Sequence, residues 1–308
     1  MTCSRQLYTP MFFNSLKGKF EVLRPVLLAA FSCALVFCIG DVSPLSAAGN
    51  DRFEKRFPVG ANPTVIVTND NGVVTVRGTP RNEVHVVATK RSSSVEIDTE
   101  AMGNRLRFDT HLFEKNMKPQ ERTVDYVLEV PEKTSLEIHN VGGRVRVDGV
   151  NGGLSIDALN SSIELNDIHG SMILRSVSGN MSVARSSGRI EANSISGDLQ
   201  FTDLSSQSVD GSTTSGNISF EGNFYDNGRY TLSNYSGFID IATPADSSFE
   251  LDARSVKGSV QSEIPLKSKA HTPFNPTIMR QSLLGIYNDG AASVHLSSFS
   301  GKIRIRKK

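Results

Sequence analysis

A nine-residue unit repeats from Val141 to Phe220, and this repeat constrains the fold more than any other feature of the chain. Each unit begins at a glycine or serine with turn character, and apolar side chains follow it by two and by four residues. The turn residues are Gly143, Gly152, Ser161, Gly170, Gly179, Gly188, Gly197, Ser206 in a degenerate unit, and Gly216. Self-similarity at a fixed period indicates a repeat architecture.

The spacing inside a unit predicts a short strand followed by a turn. Val145 and Val147 flank Arg146, and the same alternation of apolar and polar residues recurs in the other units. A period of two places one face of a strand inward and the other in water. Nine residues are too few for a helical crossover between parallel strands, so the sheet must form by coiling. The sequence therefore predicts an all-β, parallel β-solenoid.

A third apolar position precedes the turn by two residues. Its members are Val141, Val150, Leu159, Ile168, Val177, Ile195 and Leu204.

The glycines after the regular repeat indicate how many strands form one coil. Gly197, Gly216, Gly237 and Gly258 are separated by 19, 21 and 21 residues, roughly twice the unit length. These doubled steps favour two strands per coil, with neighbouring coils about 4.8 Å apart.

Residues 1–48 have the pattern of a secretory signal peptide. A basic lead precedes an apolar run from Val26 to Gly40, and Leu45 to Ala48 offers small residues for cleavage. The run is short for a membrane span, which needs about 20 apolar residues. An uncleaved anchor and a start at Met11 are the alternatives, whereas Phe37 before Cys38 disfavours a lipoprotein. We therefore expect an exported protein, located in the periplasm, on the cell surface or outside the cell.

Cysteine usage and charge exclude several functions for the mature chain. Cys3, Cys33 and Cys38 all lie in the leader, so the mature chain would have no disulfide, thiolate metal site or cysteine nucleophile. The formal net charge of the whole chain is +1, which gives no support for nucleic-acid binding. No membrane span is predicted in the mature chain.

The sequence divides into the leader and two further regions. Residues 49–136 are strand-like but irregular and are predicted to cap the N-terminal end of the solenoid, because an open stack would present an unpaired edge. Residues 137–308 are predicted to form the solenoid, which a Pro-rich loop at 263–280 interrupts. Ser300 to Ile305 repeats the unit of the middle section, so the repeat is expected to reach the C-terminus.

Three motifs carry a resemblance to a known family. They are the opening strand Asn69 to Gly78, the serial Ser-Gly units with alternating apolar residues, and the terminal Gly301 to Ile305. With the leader, they resemble the bacterial putative-adhesin proteins of the β-strand-repeat, domain-of-unknown-function type, over roughly residues 60–306. The resemblance implies a secreted or envelope-associated β-solenoid. It brings no catalytic signature, and the Pro-rich insertion departs from the family pattern.

Candidate chemistry is sparse, and we predict no catalytic, cofactor-binding or metal-binding residue. The histidines lack ligand spacing and are interpreted as structural: His85, His111, His139, His169, His271 and His295. The aspartates near turns occupy different positions in the unit and are interpreted as a solvated face: Asp148, Asp157, Asp167, Asp198, Asp203 and Asp240. The aspartate series of calcium-binding nonapeptide repeats is missing.

Two functional classes remain open at this point. The first, which we favour, is a non-enzymatic, adhesin-like envelope protein that presents a polar surface to a glycan, the cell wall or a protein partner. The second is a β-helix enzyme acting on polysaccharide, which would need converging carboxylates under long loops. A filament is also conceivable, but the basic C-terminal residues Arg304 to Lys308 disfavour edge pairing, so we expect a monomer.

Overall fold

Parallel strand pairing at an interval of 18 residues builds the fold. Ile163 pairs with Met181, and Met181 pairs with Leu199. Met172, in the nine-residue unit between those of Ile163 and Met181, pairs instead with Leu154 and Ile190. Two nine-residue units therefore complete one coil. This computed structural model confirms the predicted all-β parallel solenoid with two strands per coil.

The structure describes residues 51–114, 116–267 and 281–308. The predicted leader at 1–48 and most of the predicted loop at 263–280 lie outside these ranges. The strands are β1 (Asp51–Pro58), β2 (Thr64–Thr79), β3 (Glu83–Lys90), β4 (Val95–Met102), β5 (Arg105–Leu112), β6 (Val124–Pro131), β7 (Ser135–Asp148), β8 (Leu154–Asn166), β9 (Met172–Ser178), β10 (Met181–Ala184), β11 (Arg189–Ser196), β12 (Leu199–Thr202), β13 (Ser208–Ser215), β14 (Ile218–Glu221), β15 (Arg229–Ser236), β16 (Phe238–Thr243), β17 (Phe249–Ser255), β18 (Ser259–Ser262), β19 (Ser282–Tyr287), β20 (Ala292–Ser298) and β21 (Lys302–Lys307).

The strands form two sheet faces with the core between them. The first face holds β9, β11, β13, β15, β20 and β17 and the first halves of β2, β7 and β8. The second face holds β10, β12, β14, β16, β21 and β18 and the second halves of the same three strands. The residues two and four after each turn, such as Val145 and Val147, are buried as the alternation predicts.

The strand order at the C-terminal end departs from the order of the chain. Ile239 of β16 pairs with Ile303 of β21, and Ile303 pairs on its other side with Val260 of β18. The last coil of the chain, β20–β21, therefore lies between β15–β16 and β17–β18. The regular spacing from Gly237 to Gly258 does not reflect neighbouring coils, because Gly301 lies between these two glycines in the stack.

The N-terminal end has a matching arrangement. The two halves of β2 pair directly with β7, and the intervening β5 and β6 stack on the outer side of β2. Antiparallel strands then close this end: β4 pairs with β5, β3 with β6, and β1 with β3. At the other end β19 pairs antiparallel with β17. Antiparallel closing strands limit the continuation of a parallel stack.

Buried polar side chains complete the turns along one edge of the solenoid. Nδ2 of Asn140 donates to the carbonyl oxygen of Gly142 at 3.0 Å, and Oγ of Ser176 donates to that of Ser178 at 3.1 Å. Further along, Oγ1 of Thr213 donates to the carbonyl oxygen of Gly197 at 3.1 Å. These bonds give the buried side chains and the turn carbonyl groups hydrogen-bond partners.

Candidate binding surface

An exposed line of mainly apolar side chains runs along that same edge, and we call it the ridge. The ridge consists of Val141, Leu159, Val177, Ile195, Thr214, Tyr235, Phe299 and Val256, in the order of the coils. Each residue precedes its turn residue by two positions. Six of the eight are large apolar side chains that are 40–60% exposed. Neighbours lie about 4.8 Å apart, the strand spacing.

The same position in the repeat is buried at the opposite edge. Val150, Ile168 and Leu204 have at most 2% of their surface exposed. The residue before each of these three adopts a left-handed backbone conformation, with φ of 68° at Gly149, 55° at Asp167 and 49° at Asp203. At the ridge edge the corresponding residue, such as Asn140 or Ser176, points inward. A left-handed residue interrupts the alternation of side chains and turns the next one inward.

Aromatic rings form the C-terminal part of the ridge. The rings of Tyr235 and Phe299 stack with a centroid distance of 4.6 Å and an interplanar angle of 9°. Nζ of Lys257 lies 5.0 Å from the centroid of Phe299, which is the geometry of a cation–π contact. Phe238, three residues after Tyr235 and on the next strand, is 57% exposed. Parallel, partly exposed rings can bind a flat apolar group of a ligand.

The six predicted aspartates are distributed over both faces and both edges, each with its own partner. Asp157 lies 3.6 Å from His139 and from Arg175, while Asp240 lies 3.1 Å from Arg306. The remaining partners are Asn166 for Asp148, His169 for Asp167, the amide of Asn217 for Asp198, and Lys308 for Asp203. The structure does not bring them together as an acid and base pair.

The described histidines each have a nearby polar partner on the surface. His85 contacts Glu54 at 2.9 Å, His139 contacts Glu137 at 2.9 Å, and His169 contacts Asp167 at 3.1 Å. His295 contacts Ser293 at 3.1 Å, and His111 lies 3.9 Å from Asp98. His271 is outside the described residues. Within the described ranges, no group of three or more His, Cys, Asp or Glu residues could hold a metal ion.

The shifted pKa values belong to groups with structural roles. Burial raises the pKa of Tyr126 to about 12, and its hydroxyl lies 2.9 Å from Oγ1 of Thr110. Burial also raises the pKa of Tyr230, whose hydroxyl donates to the carbonyl oxygen of Ser206 at 2.6 Å. Neither phenol lies on the ridge, and both stay protonated at neutral pH.

A shallow depression of about 610 Å³ lies on the second face, away from the ridge. Arg77, Arg146, Asp148 and Glu164 are among its lining residues, and Arg146 and Glu164 form an ion pair across it. Exposed ion pairs of this kind contribute little stability. The depression supplies a charged surface, whereas the ridge supplies an apolar one.

Two sheet faces with a shared core and capped ends define this protein as a two-sided parallel β-solenoid. The chain belongs to the Toastrack family, DUF4097, whose model matches residues 63–306. The predicted resemblance to a domain-of-unknown-function family is thereby confirmed. No curated protein matches the sequence. Along the part of the chain that the structure describes, no helix is both long and apolar enough to cross a membrane.

Several solved structures resemble this chain. One is a putative adhesin from Bacteroides fragilis NCTC 9343, with 11% identity and a TM-score of 0.46, where the match covers 85% of this chain and 99% of the other. Another is a putative adhesin from Parabacteroides merdae ATCC 43184, with 8% identity, a TM-score of 0.35 and coverage of 83% and 96%. A third is a putative cell adhesion protein from Clostridium sporogenes ATCC 15579, with 14% identity, a TM-score of 0.26 and coverage of 84% and 100%.

Proposed function

We propose that this protein is an exported, adhesin-like binding protein without catalytic activity, and that the ridge binds a component of the cell envelope. The observation that carries the proposal is the exposure of the ridge over eight successive coils. Contiguous apolar surface that remains in water is typical of interaction sites. The leader pattern in residues 1–48 supports export.

The geometry of the solenoid supports a binding role for this edge. Beneath the ridge, the buried side chains of Asn140 and Ser176 donate to turn carbonyl groups and hold the turns in place. A surface held in one conformation loses little entropy when a ligand binds. Regular stacking also gives the ridge a length of many coils, which suits an extended ligand.

The test compares the retention of purified protein on cell-envelope material between two variants that carry the same added charges. Val177→Asp with Ile195→Asp places two carboxylates on adjacent coils of the ridge. Ser182→Asp with Gln200→Asp places two carboxylates on adjacent coils of the second face. We expect the ridge variant to lose at least about tenfold in affinity, because desolvating a charge opposes binding.

The control variant should bind as the wild type does, and both variants should remain folded at the temperature of the binding assay. Equal retention of the two variants would contradict a role for the ridge. Failure of the wild type to bind any envelope fraction would contradict the proposed function as a whole.

A further inference from the structure

One part of the ridge has a different environment from the rest. We call it the aromatic section and define it as Ile195, Thr214, Tyr235 and Phe299 on four successive coils. The N-terminal part of the ridge runs beside charged side chains, namely His139, Asp157 and Arg175. On the first face beside the aromatic section, uncharged polar groups replace these charges. One cation, Lys257, lies at the C-terminal end of the section, against Phe299.

Two rows of hydroxyl and amide side chains border the aromatic section, one on each side. The row on the first face holds Asn193, Ser212, Ser233 and Ser297, and the row at the turn holds Ser196, Ser215, Ser236 and Ser300. All eight are at least partly exposed. A serine hydroxyl both donates and accepts, so those that already bond within the protein keep capacity for a ligand. Ser300, for example, donates to the carbonyl oxygen of Tyr235 at 3.1 Å.

The short side chain of Thr214 leaves a gap in the line. Ile195 and Tyr235 lie on either side of it, two coil spacings or about 9.6 Å apart along the axis. Phe299 covers one face of the Tyr235 ring, and the opposite face is directed toward the coil of Thr214. Tyr235 is 55% exposed, so this second face is accessible to a flat ring that enters above Thr214.

We propose that the aromatic section binds an uncharged linear polysaccharide that lies along the solenoid axis. A sugar ring would stack on Tyr235 above Thr214, and its hydroxyl groups would bond to the two polar rows. A pyranose has apolar C–H faces and a rim of hydroxyl groups, which matches an aromatic surface between polar rows. This inference rests on the proposed function, since it names the ligand of the same ridge.

The shape of the ridge favours a slender ligand over a globular protein. A standard protein interface covers about 800 Å² on each partner, which a line one side chain wide does not provide. An extended peptide would need free backbone groups for strand addition. At this edge the backbone already bonds between coils: the amide of Ser300 donates to the carbonyl oxygen of Tyr235 at 2.9 Å, and that of Phe299 to Asn234 at 3.2 Å.

Calorimetric titration of the purified protein with cellohexaose and with chitohexaose tests the proposal. We expect saturable binding of at least one of them, and we expect Tyr235→Ala to weaken it about tenfold through loss of the stacking ring. Tyr235→Phe keeps the ring and should bind within about twofold of the wild type. The matched control is Tyr225→Ala, which removes a partly exposed tyrosine near Ser205 at the opposite edge and should have no effect.

Absence of saturable binding by the wild type, or equal binding by the wild type and Tyr235→Ala, would overturn the proposal. Treatment of the envelope material separates this failure from failure of the proposed function. Digestion of the material with cellulase and chitinase should abolish retention, and protease digestion should leave it intact. Ridge-dependent retention that protease abolishes would show a protein partner, which would refute the polysaccharide while preserving the proposed function.

Discussion

Replacing Gly179 by alanine is expected to lower the free energy of unfolding by about 4 kcal/mol. Gly179 has a φ of 127°, a conformation that only glycine adopts without strain. A Cβ atom there would overlap the carbonyl oxygen of Ser161 on the neighbouring coil and lie 2.6 Å from the carbonyl carbon. The coil spacing leaves no room for this atom, so the coils would have to separate.

Gly153→Ala is the matched control for this prediction. Gly153 has no positive φ, and an added Cβ would have its nearest neighbour, Oγ of Ser135, at 4.0 Å. Urea unfolding followed by circular dichroism should show the control within about 1 kcal/mol of the wild type. A similar loss in both variants would mean that the close contact between coils does not set the requirement for glycine.

Removing residues 292–308 is expected to release the segment β17–β19 from the solenoid. These residues form β20 and β21, which separate β17–β18 from β15–β16. Without them, β17 and β18 lose their parallel partners, and the core beside Leu232 and Ile239 is uncovered. Because each coil contacts only its neighbours, the effect should be confined to this end.

Hydrogen exchange measures this effect strand by strand. Amides of β17 and β18 should lose about a thousandfold of protection, or ~4 kcal/mol, while β7–β11 keep theirs. The control is deletion of Lys308 alone, which removes exposed ion pairs with Asp203 and Glu221 and one backbone bond to Thr243. It should leave the protection of β17 and β18 unchanged. Retained protection of β17 and β18 after the longer deletion would show that they pair directly with β15–β16.

The repeat architecture can be predicted from the sequence because the residues that determine it lie close together in the chain. Apolar residues at two and four positions after each turn, such as Ile163 and Leu165, determine which face of each strand is buried. Doubled spacing of the glycines from Gly197 to Gly237 predicts two strands per coil. Both features depend on residues within about 20 positions of each other, where pattern and structure agree.

The order of the terminal coils depends on pairings between distant residues. Gly258 follows Gly237 at the same spacing as Gly237 follows Gly216, so local spacing favours the wrong neighbour. Gly301 takes the position next to Gly237 because β17 and β18 stack on the outer side of β20 and β21. The stacked pair of Tyr235 and Phe299 arises from the same long-range pairing and shows no period in the sequence.

The ridge also has a sequence signal, but one that is easily missed. Val141 and Val150 occupy the same position in the nine-residue unit, yet only Val141 is exposed. The residue before each one differs: Asn140 points inward and bonds to the turn, whereas Gly149 is left-handed. Reading the sequence with a period of 18 rather than nine separates the two edges.

The most direct test of the binding role of the ridge is photo-crosslinking in living cells that produce the protein. A photoreactive phenylalanine analogue replaces Ile195 on the ridge in one strain and Gln200 on the second face in another, since both side chains are exposed. We expect adducts of higher mass from the ridge position and none from the face position. Adducts from Gln200 alone, or from neither position, would contradict the assignment of the ridge as the binding surface.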